Sequence, residues 1–359
     1  MQRYLVVGSG LIGRLLAWRL TRAGHHVDIA SSDDRLGTDS AGFIAASMIA
    51  PYTEAVSADT SVLELGMRSY ALWPTWLSEL SERIFFNNNG TLVVAHPGDK
   101  AEMQRYQRRA DHVLGPSAYQ SLNTQQLKAR EPELVERFQQ ALFFADEACL
   151  DNRQLFQVLG EFLEQNCQWQ QITAVEQLSE QVIDELCHRY FSTALTDYES
   201  VLDCRGNGAR ADISDLRSVR GEVIRVHAPA VDLQHCIRLM HPRYPFYLAP
   251  RPNHEYVLGA TVIESADRSQ LSVRSGLELL SALYSLHPGF AEARILELRA
   301  HCRPALLGHL PEIRQTSWGY QLNGFYRHGY LFGPAVIERC LESLVMKTQT
   351  LLSEASHVH

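Results

Sequence analysis

Six residues near the start of the chain, Gly8-Ser9-Gly10-Leu11-Ile12-Gly13, place the tightest limit on what it can fold into. They follow the apolar run Tyr4-Leu5-Val6-Val7, and Leu11, Ile12, Leu15, Leu16 and Leu20 then recur at helical spacing up to Gly24. Residues 27–30 return to an extended pattern. Strand, glycine turn, helix and strand within about 30 residues make a βαβ unit, the context in which a GxGxxG pattern has a mechanism. The first glycine permits the turn, the second lets backbone approach a pyrophosphate, and the third lets helix and strand pack. The helix N-terminus adds N–H donors and the positive end of its dipole. A dinucleotide over this turn is the expectation; the alternative is a glycine turn between ordinary elements.

A unit of this kind should end in an acid about 20 residues on that accepts the ribose hydroxyls. Here Val27-Asp28-Ile29-Ala30 is followed by Ser31, then Ser32, Asp33 and Asp34. Ser31 can still hydrogen-bond a ribose hydroxyl, and Asp33 or Asp34 can reach back, but a neutral acceptor holds adenosine less tightly than a carboxylate. Weakened cofactor binding is therefore expected.

The chain's 359 residues exceed one ordinary core and suit two domains. With 45% hydrophobic residues and no apolar run of the roughly 20 needed to span a bilayer, it reads as soluble. A net charge of -8 without a basic stripe excludes nucleic acid and the membrane surface as main partners. Residues 1–10 show no leader pattern, so a cytoplasmic protein is expected. The seven cysteines are scattered and lack CxxC spacing, which favours reduced thiols. His25 and His26 sit in a turn, and His241, His287 and His301 are isolated, so no metal is expected. Cys302 has no local partner that would mark a nucleophile, and GxSxG, P-loop and HExxH patterns are absent.

Along the chain, periodicity predicts helices over 60–81, 100–130, 155–164 and 275–286, and a strand over 91–95. Val201-Leu202-Asp203-Cys204 reads as a buried strand running into a turn at Gly206 and Gly208, so nucleotide-domain character returns after a long excursion. Residues 221–261 are β-rich, a last helix is expected from 333 to 344 after a turn at 324–329, and 353–359 is a polar tail expected to fray.

Beyond the glycine turn, Ala45-Ala46-Ser47-Met48-Ile49-Ala50-Pro51-Tyr52, Val219-Arg220-Gly221-Glu222-Val223, Gly259-Ala260-Thr261, and Arg303-Pro304 with Gly324-Phe325-Tyr326-Arg327-His328-Gly329 stand out. Over nearly its whole length the chain resembles the glycine oxidases of thiamine biosynthesis, members of the D-amino-acid oxidase family. The resemblance implies an α/β fold: a Rossmann-type FAD-binding domain interleaved with an α+β substrate domain on a mixed antiparallel sheet. The FAD-binding domain would comprise residues 1–84, 146–216 and 301–345, and the substrate domain 85–145 and 217–300, with 346–359 a tail.

By the same resemblance, FAD is held by Gly8, Gly10, Leu11, Ile12 and Gly13 at the pyrophosphate, with Ser31, Ser32, Val175 and Gly206 toward the adenosine side. Ala46, Ser47 and Met48 run along the flavin. Tyr326, Arg327, His328, Gly329, Tyr330 and Leu331 form the loop whose N–H groups face flavin N1 and the C2 oxygen, where the reduced ring is negatively charged. Arg303 and Arg327 match the positions that pair with a substrate carboxylate, and Tyr247 matches a tyrosine that assists them; Val262 falls on the pocket wall. Read without the family, each has a plainer role: a solvated arginine, an aromatic on a half-buried strand, or, for Val175, a core strand residue. Three positions depart from the family around the cofactor: Ser31, Ser47 in place of a glycine, and Gly308 in place of an acid.

The implied activity is oxidation of the amine of glycine or a small amino acid to an imine by hydride transfer to the flavin, with oxygen as acceptor. Two alternatives stay open. One is a flavoprotein acting on a bulkier amine or a residue of a protein partner; the other is a member with weak FAD binding and a non-catalytic role. A homo-oligomer is compatible with either.

Overall fold

Strand β1 (Arg3–Val7) is buried on both faces through Tyr4, Leu5, Val6 and Val7, as a strand covered on both sides of a parallel sheet must be. Helix α1 (Leu11–Arg22) buries Leu11, Ile12, Leu15, Leu16 and Leu20 and ends where Gly24 takes φ +85°. Strand β2 (His26–Ser31) then lies parallel to β1. The structure, a computed structural model, describes residues 1–58, 60–240 and 246–355.

Six strands form the first sheet, in the order Glu312–Gln315, Gly319–Asn323, Ser200–Asp203, β1, β2 and Gln168–Gln171. All neighbours are parallel except the hairpin at the first edge. β1 thus has β2 on one side and a strand from far along the chain on the other. Strand order reverses there, and the carboxyl ends of the strands diverge to leave a crevice.

A small three-stranded sheet, Met48–Ile49, Ala148–Leu150 and Phe86–Asn87, carries the chain to the short helix α2 (Pro51–Ala55). The second large sheet has nine strands centred on β3 (Arg217–His227), which pairs along its whole length with the antiparallel β4 (Arg294–Ala305). Among the described residues only Thr91–Val94 and Cys236–Leu239 pair in parallel, so this is the mixed, mainly antiparallel sheet expected. The division expected at 300/301 falls inside β4.

Two helical expectations need correction. Residues 100–130 divide into helices Lys100–Leu114 and Thr124–Arg130 with the strand Gln120–Leu122 between them. Gly115 at φ +83°, followed by Pro116, ends the first helix, and the Asn123 side chain caps the second. The last helix, α3 (Gly329–Ala355), begins at Gly329 and not at 333, and includes Pro334. Proline has no N–H for the carbonyl of residue 330. The Trp73 indole N–H donates to that Tyr330 carbonyl instead, at 2.8 Å. His241 and residues 356–359 of the expected tail lie outside the described residues; residues 353–355 belong to α3. Among the described residues no helix is long and apolar enough to cross a membrane.

One buried acid, just ahead of strand Ala148–Leu150, ties the small sheet to α2. Glu147 is fully inaccessible and accepts the Thr53 N–H at 2.6 Å and its hydroxyl at 3.0 Å. Burial pushes its pKa up to about 7 from 4.5. The folded chain therefore keeps a proton that the unfolded chain releases, and stability falls as pH rises through the window from about 4.5 to about 7. Urea midpoints measured across this range should show that slope in the wild type, and Glu147→Gln should flatten it.

Candidate active site

One cavity of about 420 Å³ runs from the glycine turn, past the carboxyl ends of the first sheet, to the face of the second sheet. Every candidate cofactor and substrate residue named above lines it except Gly13 and Asp34. Gly13 is needed behind the wall: a Cβ there would stand 1.9 Å from the Gly8 carbonyl. Gly8, at φ +97°, has Cys204 and Arg205 backbone within 2.9 Å of where a Cβ would lie.

At the pyrophosphate end, α1 has Gly10 at its N-cap and no side chain capping it, so its first N–H groups are free where Leu11 and Ile12 meet the cavity. Directly beneath lies Arg14, fully buried, whose Nε donates to the Ser9 carbonyl at 2.8 Å and whose Nη2 donates to the Arg35 carbonyl at 2.8 Å. Its guanidinium lies 4.9 Å from the ring centres of both Phe156 and Trp169. Burial lowers its pKa to about 10, which leaves it charged at neutral pH. A full positive charge thus supports the helix dipole behind the turn. Sequence reading passed over Arg14 as an ordinary helix position.

At the adenosine end, the Ser31 hydroxyl oxygen accepts the Ser9 N–H (3.2 Å), the Ser9 hydroxyl (2.7 Å) and the Asp33 N–H (3.2 Å). Ser31 therefore fixes the loop with a crowded oxygen. Asp33 lines the cavity; its Oδ1 accepts the N–H groups of Asp34 and Asp39, leaving Oδ2 without a donor among the described residues. Burial raises its pKa. Asp34 turns away to bond Gly37 and Thr38. Val175 follows a strand rather than lying in one, half-buried on the cavity wall.

The flavin-side departures are accommodated. Ser47 takes φ +51°, the left-handed region that favours glycine. Its hydroxyl points into the protein, donating to the Leu150 carbonyl at 2.5 Å and accepting from Arg251 Nη2 at 2.7 Å. Near Gly308 a side chain would meet open space. The adjoining loop is held instead by His309, which stacks on Tyr326 at 4.6 Å and meets Arg217 Nη2 at 2.8 Å. Tyr326, itself at φ +48°, donates its N–H to the Pro304 carbonyl at 2.7 Å. Because the Phe332 N–H already bonds the His328 carbonyl, the N–H groups of residues 329–331 lie ahead of the intrahelical ladder at the cavity wall.

The end of the cavity expected to take the substrate is lined by Arg303, Arg327 and Tyr247, with a residue that sequence reading missed. Glu54 on α2 places Oε2 2.6 Å from Arg327 Nη2 and 2.8 Å from His328 Nε2, and Oε1 accepts the Tyr247 hydroxyl at 2.6 Å. Arg238 lies behind, 3.9 Å from Glu54. Burial pushes the Glu54 carboxyl up, but Arg327, His328 and Arg238 outweigh it and hold it well below the ordinary value. Burial lowers the pKa of His328 and raises that of Tyr247. Arg303, whose pKa burial lowers to about 10, crosses Gly221 so closely that a Cβ there would touch its Nη2 at 2.0 Å. Among the described residues Arg303 forms no ion pair; its Nη1 donates to the carbonyls of Thr261 (3.1 Å) and Arg220 (3.4 Å). No group of three or more His, Cys, Asp or Glu among the described residues is arranged to hold a metal.

Comparison with known proteins shows the family and the fold. A family model described as FAD dependent oxidoreductase matches residues 3–339. A putative thiamine biosynthesis oxidoreductase, ThiO, of Rhizobium etli is 38% identical over 334 residues, covering 93% of this chain and 94% of that protein. Among solved structures, glycine oxidase from Geobacillus kaustophilus has a TM-score of 0.78 at 21% identity, covering 97% of this chain and 95% of that one. Iminodiacetate oxidase from Chelativorans sp. BNC1 has a TM-score of 0.77 at 21% identity, covering 96% and 95%. These structures share the fold.

Ser47 offers a direct test of how the site tolerates its departures. Ser47→Ala keeps the left-handed backbone and leaves the Leu150 carbonyl and Arg251 each short of a partner, a loss of about 1–3 kcal/mol. Ser47→Gly loses the same bonds but relieves the backbone, recovering roughly 1 kcal/mol. Denaturation midpoints should rank wild type above the glycine variant and the glycine variant above alanine.

Proposed function

The chain belongs to the FAD dependent oxidoreductase family of D-amino-acid oxidase type, and from that premise we propose that it oxidises the amine of glycine or a small amino acid to an imine. The observation that carries this is a cavity with a glycine turn at one end and, at the other, the half-buried guanidinium of Arg303, which forms no ion pair among the described residues. The residues present fit FAD: an uncapped helix end and Arg14 for the pyrophosphate, Asp33 and Ser32 for the ribose, residues 46–48 for the ring, and the free N–H groups at the start of α3 for its negatively charged edge. Bound there, FAD would supply the hydride acceptor, with oxygen as the final oxidant.

The chain's own residues position the substrate. Arg303 has Nε and Nη2 left over to fork onto an amino acid carboxylate. Arg327 lines the same space with its charge matched by Glu54, which keeps that wall rigid. Val223, Ala260 and Val262 make the rest apolar, which excludes water from the α-carbon and favours small substrates. Among the described residues, the carboxylate that lines this end, Glu54, is tied to Arg327, His328 and Tyr247, so a neutral amine, deprotonated before it binds, suits the pocket best.

Arg303→Ala should remove the charge-assisted fork, a loss of roughly 1.5–3 kcal/mol, and so raise KM for glycine or sarcosine by about ten- to a hundredfold. Steady-state oxygen consumption measures this; an unchanged KM would take Arg303 out of the site.

A further inference from the structure

Two arginines face the substrate end of the cavity in different electrical states. Arg303 has no ion pair among the described residues, whereas Arg327 is already matched by Glu54 at 2.6 Å. Glu54 is held from several elements at once: by Tyr247 of strand Phe246–Pro250, by Arg327 and His328 ahead of α3, and by Arg238 of strand Cys236–Leu239. It is only 5% exposed, yet it lines the same cavity as Arg303. A substrate carboxylate on Arg303 would therefore share the pocket with a carboxylate that is part of the protein.

The geometry points to Glu54 as the residue that sets the charge of the substrate: it occupies Arg327 as a built-in carboxylate, so the pocket accepts amines bearing one carboxylate and turns away those bearing two. A second substrate carboxylate approaching Arg327 meets the like charge of Glu54 inside a poorly solvated space. A neutral side chain at position 54 would hand the Arg327 guanidinium to the incoming group, an exchange of one carboxylate for another on the same donor. This role rests on the amine-oxidase function proposed above.

The test compares kcat/KM for sarcosine with that for iminodiacetate, a secondary amine with one further carboxylate, in flavin-loaded wild type, Glu54→Gln and Glu54→Asp. In the wild type the ratio should favour sarcosine. Glu54→Gln should shift it toward iminodiacetate by about ten- to a hundredfold, and Glu54→Asp, which keeps the charge, should hold the wild-type preference. A ratio unmoved in Glu54→Gln while sarcosine is still oxidised overturns the inference and leaves the amine-oxidase function standing. Oxidation of no amino acid by the wild type overturns both. Should Glu54→Gln fail to fold or to hold flavin, competition in the wild type decides: acetate should inhibit sarcosine oxidation at lower concentration than malonate, and the reverse order overturns the assignment.

Discussion

The structure depends on one close approach, the packing of Gly13 on the Gly8 carbonyl at the end of β1. Without a side chain at either position, α1 can start immediately behind the strand and aim uncapped N–H groups into the crevice where strand order reverses. A Cβ on Gly13 would push the helix away from the strand, and the anion site would go with it. Arg14 adds to this constraint. Its guanidinium bonds the Ser9 carbonyl in the middle of the turn, so the turn's shape and its electrostatics are fixed by the same side chain.

From this end the cavity is built outward by elements that are distant in sequence. The β3–β4 pair supplies Arg303, α2 supplies Glu54, and the turn ahead of α3 supplies Arg327 and His328. Glu54 ties α2 to that turn through Arg327 and His328, and to the strands that carry Tyr247 and Arg238. Removing a buried partner from such a network commonly costs about 3–5 kcal/mol, because the remaining charges are left uncompensated. The same carboxylate thus shapes the pocket and matches the charge of Arg327, whereas Arg303 forms no ion pair among the described residues.

What was legible in the sequence follows from locality. The βαβ unit, the strand at residues 200–203 and the β-rich second half carry their signals within a few residues, and the family segments mark Arg303, Arg327 and Tyr247. What was hidden depends on distant partners. Arg14 looks like a surface helix residue until Phe156 and Trp169 close over it. Glu54 looks like a solvated acid until Tyr247, Arg327 and His328 converge on it. The early start of α3 was hidden because a helix with Pro334 in its first turn fits the local sequence equally well, and only the Trp73 indole shows how the Tyr330 carbonyl is satisfied when the helix begins at Gly329. Charge-rich periodicity across 100–130 likewise concealed the stop at Gly115-Pro116. Ser31 and Ser47 read as losses, yet the first fixes the adenosine loop and the second bonds inward, so neither blocks the cavity.

The central claim is that the glycine turn and Arg303 serve one redox site. Anaerobic addition of glycine or sarcosine to the purified, flavin-loaded protein tests it most directly, followed through the flavin's visible absorption. The account predicts that the band bleaches and returns when oxygen is admitted. A protein that takes up no flavin, or whose bound flavin keeps its oxidised spectrum with every small amino acid, would contradict it.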